Sequence, residues 1–339
     1  MVTVKYDFSL KEHNTFGIDA KCKCFITFDT IDDIAEVLPI IKQHRNNMII
    51  LGGGSNLLLT GDYDGLVVHP KIMGWEAADG ADGVMLRVGC GMEWDELVEL
   101  CVGRGWHGLE NLSLIPGNVG ASAVQNIGAY GAEAKDVIYK VEAIDLDTGE
   151  KREFSNSDCQ YSYRHSRFKA DWRGKYIITY VTYKLSHDFC PNIEYGNIKR
   201  EIAARNITDN PTAEQLRDVI ISIRRDKLPD PEVEGNAGSF FMNPVVGKAK
   251  YEELRAKYGD IPHYTIDDQA EKIPAGWLIE QCGWKGKSLG RAGVHSKQAL
   301  VLVNRGGATG GEVLELCRVV CRDVHERFGI EIKPEVNIV

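Results

Sequence analysis

Met48-Ile49-Ile50-Leu51-Gly52-Gly53-Gly54-Ser55-Asn56 decides how the first part of the chain is read. Four apolar residues with the composition of a buried strand run without a break into three glycines and two polar side chains. Upstream, Cys24–Phe28 is a second short apolar stretch. Between the two, Ile31, Ile34, Val37, Leu38 and Ile41 recur at helical spacing behind a plausible helix start, Thr30 with Asp33. The pattern is strand, helix, strand, then a glycine run. Three glycines at a strand end leave successive backbone N–H groups free to point at one anion. Ser55 and Asn56 add side-chain donors, and Leu57 follows. A surface loop is the other reading of this stretch taken singly.

A second segment of small residues shifts the balance. Ile115-Pro116-Gly117-Asn118-Val119-Gly120-Ala121-Ser122 is followed by Gln125-Asn126-Ile127-Gly128-Ala129-Tyr130-Gly131. Small residues at this density let a ligand lie against the backbone, and Gln125 and Asn126 can read amide-like groups. Two separate cradles suit a long dinucleotide such as FAD, spread between two subdomains. Two other glycine motifs are decoys. Gly103-Arg104-Gly105-Trp106-His107-Gly108 matches G-x-G-x-x-G but follows a helix, where a dinucleotide fingerprint must follow a strand. Gly286-Lys287-Ser288 resembles a P-loop end, but Gln281 stands where the first glycine belongs.

Further along, Val84–Val88, Val137–Leu146 and Tyr176–Leu185 have strand composition, with Asp147-Thr148-Gly149 closing a hairpin. Helices are expected at Glu93–Arg104 and Thr212–Lys227. Leu228-Pro229-Asp230-Pro231 reads as a linker. Beyond it lie helical stretches near Lys248–Tyr258, Pro274–Cys282 and Gly311–Phe328, a strand at Ala299–Asn304, and a strand-like alternation over Ile330–Val339. The third region also holds Gly235-Asn236-Ala237-Gly238-Ser239-Phe240-Phe241-Met242-Asn243-Pro244, with one hydroxyl between flexible glycines and two rings that could exclude water from it.

Composition excludes several classes. At 339 residues, 43% hydrophobic and 26% charged, the chain has room for two or three domains of ordinary globular composition. The net charge of −9 argues against nonspecific nucleic-acid binding. No apolar run approaches the length of a membrane span, and the N-terminus lacks a signal-peptide core. Nine cysteines without a Cys-x-x-Cys pair, Cys317 and Cys321 among them, read as reduced thiols in a cytoplasm. The nine histidines do not pair at ligand spacing, so no metal is expected.

Two more segments carry charge. Tyr161-Ser162-Tyr163-Arg164 sets a guanidinium beside tyrosines, suited to gripping a carboxylate, and Lys333-Pro334-Glu335-Val336 sets a carboxylate directly after proline. Taken together, the ordered motifs resemble the UDP-N-acetylenolpyruvoylglucosamine reductase (MurB) family of flavoenzymes. They run from Asn14-Thr15-Phe16-Gly17 through Gly52–Asn56, Gly108-Leu109-Glu110-Asn111-Leu112, Ile115–Gly131, Tyr163-Arg164 and Lys227–Pro231. They continue through Gly235–Pro244, Ala275-Gly276-Trp277-Leu278-Ile279 and Pro334-Glu335-Val336. Ile193-Glu194-Tyr195-Gly196-Asn197 looks like the tyrosine loop of the family's type I branch.

The resemblance implies an α+β fold of the PCMH (vanillyl-alcohol-oxidase) type: two subdomains holding FAD noncovalently, and a third α/β domain for substrate. The expected division is 1–75, with 330–339 returning to it, then 76–228 and 229–329. It implies reduction of an enolpyruvyl ether on UDP-N-acetylglucosamine, for peptidoglycan precursor synthesis, with NADPH as hydride donor. Arg164, Ser239 and Glu335 match the catalytic positions. Tyr195, Lys227, Asn243 and Gln298 match substrate positions, and Arg224 one near the flavin. A monomer in the cytoplasm, meeting only small molecules, is expected. Another PCMH-type oxidase, or an inactive nucleotide-sugar sensor, are the competing readings.

Overall fold

The computed structural model describes residues 1–207 and 210–339. The chain divides into two compact units, one of residues 1–8, 22–53 and 64–226, the other of 9–21, 54–63 and 227–339. The glycine run is therefore shared: Gly53 closes a segment of the first unit and Gly54 opens one of the second.

The first unit contains a four-stranded and a five-stranded sheet. In one, the strand Met48–Ile50 pairs in parallel with the middle of Tyr63–Pro70, next to Lys21–Phe28 and Thr3–Ser9. The expected crossover helix is there as Ile34–Gln43, with Ile34, Val37 and Ile41 buried. Thr30 and Asp33 bond to each other as a capping pair does, their backbone N–H groups and side chains exchanged, one turn before the helix. The second sheet is antiparallel, in the order Lys151–Ser155, Ile138–Asp145, Tyr176–Leu185, Gly83–Gly89, Trp75–Gly80. Tyr176–Leu185 sits at its centre, so most of its side chains are buried. Asp147-Thr148-Gly149 closes the hairpin as expected, with Gly149 N–H donating to Asp145 at 2.7 Å.

Onto the central strand packs a helix the sequence pattern does not announce, Val119–Gln125. Its Gly, Ala and Ser residues give little hydrophobic period, but small residues are what lets it lie close. The Ser122 hydroxyl is 3.0 Å from the Tyr183 hydroxyl, and Tyr183 meets Trp94 edge-on at 6.0 Å. The helices Ile198–Ala204 and Ala213–Lys227 bury Ile198, Ile202, Leu216, Val219, Ile220 and Ile223 in a small core of their own, on which Tyr130 and Ile193 also pack.

The second unit combines a sheet ordered Asn236–Ser239, Val301–Asn304, Ala292–Val294, Ser288–Leu289 with the helix Gly310–Phe328. Thr309 and Glu312 cap that helix reciprocally. A smaller sheet of Val245–Gly247, Ala270–Lys272 and Tyr264–Asp267 packs with the helix Lys248–Tyr258. The stretch 330–339, expected as one strand, is a strand only over Asn337–Ile338, which pairs in parallel with Leu57–Leu58. Pro334 has no N–H to give a ladder, and the segment around it instead bridges to Phe241. None of the described helices is long and apolar enough to cross a membrane.

Candidate flavin and substrate site

In the first unit the two glycine segments meet. A Cβ placed on Gly53 would lie 3.0 Å from Cα of Gly117 and 3.2 Å from Oδ1 of Asn118; one on Gly52 would lie 3.3 Å from Cβ of Ala121. The backbones touch because neither carries a side chain at the crossing. Asn118 is buried, and its Nδ2 donates to the Gly91 carbonyl at 2.8 Å. Its Oδ1 has no hydrogen-bond partner among the described residues. An unsatisfied buried acceptor beside a groove floored by glycine fits a polar ligand lying against the backbone. The residues present thus fit a dinucleotide.

Not every expected contact points outward. The N–H groups of Val119 and Gly120 donate to Met92 and Cys90 at 2.9 and 3.0 Å. Gly120 therefore offers close approach rather than a donor. The Ser122 hydroxyl donates to Val119 at 2.6 Å. Asn126 commits its Nδ2 to Ser162 at 2.8 Å and Glu133 at 3.1 Å, and its Oδ1 to the N–H of Lys135 at 3.0 Å. These side chains build the cradle.

Gly128–Ala129 and Ala132–Glu133 form a tight hairpin whose two-residue turn is Tyr130-Gly131, with φ of 49° and 81°. Turns with positive φ at both positions match the twist of a hairpin, and tyrosine there is strained. Leu114 (φ 58°), Asn126 (45°) and Arg164 (55°) share the left-handed region. Strained residues of this kind gather at functional sites. Arg164 donates through Nη2 to the Gly128 carbonyl at 2.7 Å, which lays its guanidinium over the hairpin. Arg224 donates through Nε to the Leu114 carbonyl at 3.2 Å. Burial pushes the Arg224 guanidinium below its ordinary pKa; Tyr130 and Asp95 oppose this and the Arg164 charge adds to it. Burial pushes the Tyr130 phenol up, against the pull of Arg224. Two guanidiniums that sense each other across one turn favour an anion there. Tyr195, 44% exposed, meets the Tyr130 ring edge-on at 6.5 Å.

The second unit holds the other candidates. Ser239 ends the strand Asn236–Ser239, opposite Val301. Ser239 itself is exposed, and Phe240 and Phe241, which follow it, are fully buried. Glu335 N–H donates to the Phe240 carbonyl at 2.8 Å. Asn243 Oδ1 accepts from Ala275 N–H at 2.9 Å, capping a helix whose own cap position, Pro274, has no side-chain acceptor. Gln298 Oε1 accepts from Leu300 N–H at 3.3 Å. Asn56 accepts from Asn337, and Gly54 from Thr15. Thr15 also donates through Oγ1 to Asn236 at 2.6 Å, which gives the Asn14–Gly17 motif its place. The structure thus groups Gly52, Gly53, Pro116–Gly131, Arg164, Tyr195 and Arg224 in the first unit. Gly54–Leu57, Lys227, Ser239, Asn243, Gln298 and Glu335 lie in the second. Among the described residues no His, Cys, Asp and Glu group could hold a metal ion.

Residues 22–155 match the family model of an FAD binding domain, and residues 230–339 that of the C-terminal domain of UDP-N-acetylenolpyruvoylglucosamine reductase. A UDP-N-acetylenolpyruvoylglucosamine reductase of Bacteroides fragilis is 50% identical over 333 residues, 98% of this chain and 99% of its own. The chain belongs to this reductase family. Relatives of the same name from Flavobacterium johnsoniae and Neisseria gonorrhoeae are 45% and 44% identical, each over 99% of this chain and 99% and 98% of their own. The crystal structure of the Thermus caldophilus reductase (MurB) aligns with TM-score 0.67 and 23% identity, over 100% of this chain and 98% of that one. As a member of the family the chain is an FAD-dependent oxidoreductase with the α+β, PCMH-type fold expected from the motifs.

Proposed function

We propose that this chain reduces the enolpyruvyl ether of UDP-N-acetylglucosamine enolpyruvate to UDP-N-acetylmuramate, with NADPH as hydride source. The observation that carries the reading is the hydrogen bond from Glu335 N–H to the carbonyl of Phe240, the residue after Ser239, which brings the two segments together in a chain of this family. FAD, held by the two glycine cradles and Arg224, would supply hydride transfer from the nicotinamide to the β-carbon of the ether. The reaction then leaves negative charge at the α-carbon, spread into the carboxylate, and fixed donors aimed at that charge lower the barrier. Arg164 holds the carboxylate, Glu335 assists, and the Ser239 hydroxyl delivers the proton to carbon. Lys227 meets the diphosphate, Tyr195 covers it, and Asn243 and Gln298 orient the nucleotide. Arg224, the cradles and Leu57 hold the flavin.

The same reading assigns residues 1–75 with 330–339, and 76–228, to flavin binding and 229–329 to substrate, in a monomer working in the cytoplasm. Purified protein, followed at the flavin absorbance, is given NADPH and then the enolpyruvyl substrate. The expected result is bleaching, then return of the yellow colour, with product two mass units heavier than substrate. Reoxidation by oxygen alone, unaffected by substrate, would favour an oxidase.

A further inference from the structure

Asn111 belongs to the one motif of the first unit, Gly108–Leu112, that the site described above leaves without a task. We propose that it is a positioning residue that couples the flavin cradle to the Tyr195 loop. This rests on reading residues 128–131 as cradle and Tyr195 as a substrate contact. Asn111 is buried, in a short 3-10 helix, Glu110–Leu112, whose own placement is fixed by Glu110. The Glu110 carboxylate is bonded by His107 Nδ1 and by Gly108 N–H, both at 2.8 Å. From that fixed base Asn111 Nδ2 donates twice: to the Tyr130 carbonyl at 2.8 Å and to the Asn192 carbonyl at 2.8 Å.

A primary amide carries two hydrogens, so Nδ2 is fully spent on one carbonyl of the cradle turn and one of the tyrosine loop. Asn192 returns the link, donating through Nδ2 to the Gly131 carbonyl at 3.2 Å. Gly131 is packed against the loop as well, a Cβ on it falling 3.4 Å from Cβ of Tyr195. The turn is the strained one, its Tyr130 at φ 49°. A ligand seated on the hairpin fixes the Tyr130 carbonyl, and through the shared amide it fixes Asn192 and the loop that carries Tyr195. Cofactor occupancy thereby prepares the substrate loop before substrate arrives.

Hydrogen–deuterium exchange with and without added FAD tests this in the full chain. In the native protein FAD should slow exchange both at 128–131 and at 192–197. In Asn111→Leu, which removes both donors, FAD should still protect 128–131, while exchange at 192–197 stays about three- to tenfold faster than in native holoenzyme, the range that one or two net hydrogen bonds represent. The substrate KM should rise by a similar factor, with kcat reduced less. Asn192→Ala, an exposed position that keeps the fold, should give a smaller loss of the same kind. FAD protection at 192–197 that is equal in native and both variants overturns the coupling and leaves the function standing. Absence of FAD protection at 128–131 in the native protein overturns the cradle reading, and the coupling with it.

Discussion

Glu335 is hydrogen-bonded through its backbone N–H to the carbonyl of Phe240, the residue next to Ser239, at 2.8 Å. Two segments from distant parts of the sequence are therefore joined by main chain. Ser239→Ala should leave this ladder and the fold untouched. Reduction of the flavin by NADPH is expected to stay near native, while reoxidation by substrate slows about 10²–10⁴-fold, the usual share of a positioned acid–base group. Stopped-flow absorbance separates the two steps, and equal slowing of both would assign Ser239 to structure.

Neighbouring glycines should respond differently. Gly53→Val places atoms where the cradle backbones cross, 3.0 Å from Gly117 Cα, and should weaken FAD retention with a modest loss of stability. Gly54 has φ 66°, and a Cβ there would fall 2.1 Å from the His13 carbonyl. Gly54→Ala should therefore yield little folded protein. Flavin content per folded chain, against soluble yield, distinguishes the two effects.

Arg217 grips Asp95 with both arms, at 2.7 and 3.1 Å, and Asp95 in turn accepts the N–H of left-handed Leu114 at 2.5 Å. Removing one partner of such a pair leaves a charge without compensation. Because Asp95 is 29% exposed, Arg217→Met should cost about 2–3 kcal/mol, at or below the lower end of the range for buried pairs. Since Leu114 leads into Pro116-Gly117, FAD should also dissociate faster. Thermal melts and flavin release on dilution measure both.

Acid should unmask Glu312. Its bond to Arg291 first, then the Thr309 cap, hold its carboxyl down to about 2. A carboxyl of ordinary value near 4.3 in the unfolded chain takes up protons before the folded one does. The contribution is thus complete above that ordinary value and is lost as pH falls towards 2. Glu312→Gln should flatten the fall in denaturant midpoint between about pH 5 and pH 2, without changing its slope at pH 7.

How much of this could be read from residues alone depends on what signals each part. Lys248–Tyr258 falls on its expected bounds, and Glu93–Arg104 and Gly311–Phe328 are within a residue, because their patterns are long and their ends marked. Val119–Gln125 carries no such period, since the closeness it needs is bought with small side chains. The strand Trp75–Gly80 is exposed at every position, so it has no apolar face to announce it. Local chemistry marks Arg164, Ser239 and Glu335 as candidates, but their catalytic roles come only from the family resemblance. Asn111 and Asn118 were quoted within motifs and given no role, because a buried amide is defined by which carbonyls surround it, and sequence does not show those.

The short pairing of Asn337–Ile338 with Leu57–Leu58 has a kinetic side. Thr60, just beyond that strand, gives both its N–H and its hydroxyl to Val339, at 2.7 and 2.8 Å. Residues 57–60 are thus an early stretch whose ladder partners are residues translated far later. Closing so long a loop is slow, and contacts of high sequence separation are rewarded only after the entropy of closure has been met. The first unit, by contrast, includes ladders between strands adjacent in sequence, Trp75–Gly80 with Gly83–Gly89 and Ile138–Asp145 with Lys151–Ser155. The nascent chain should accordingly settle its flavin-side sheet first and leave the Leu57–Leu58 edge bare until Asn337–Ile338 emerge.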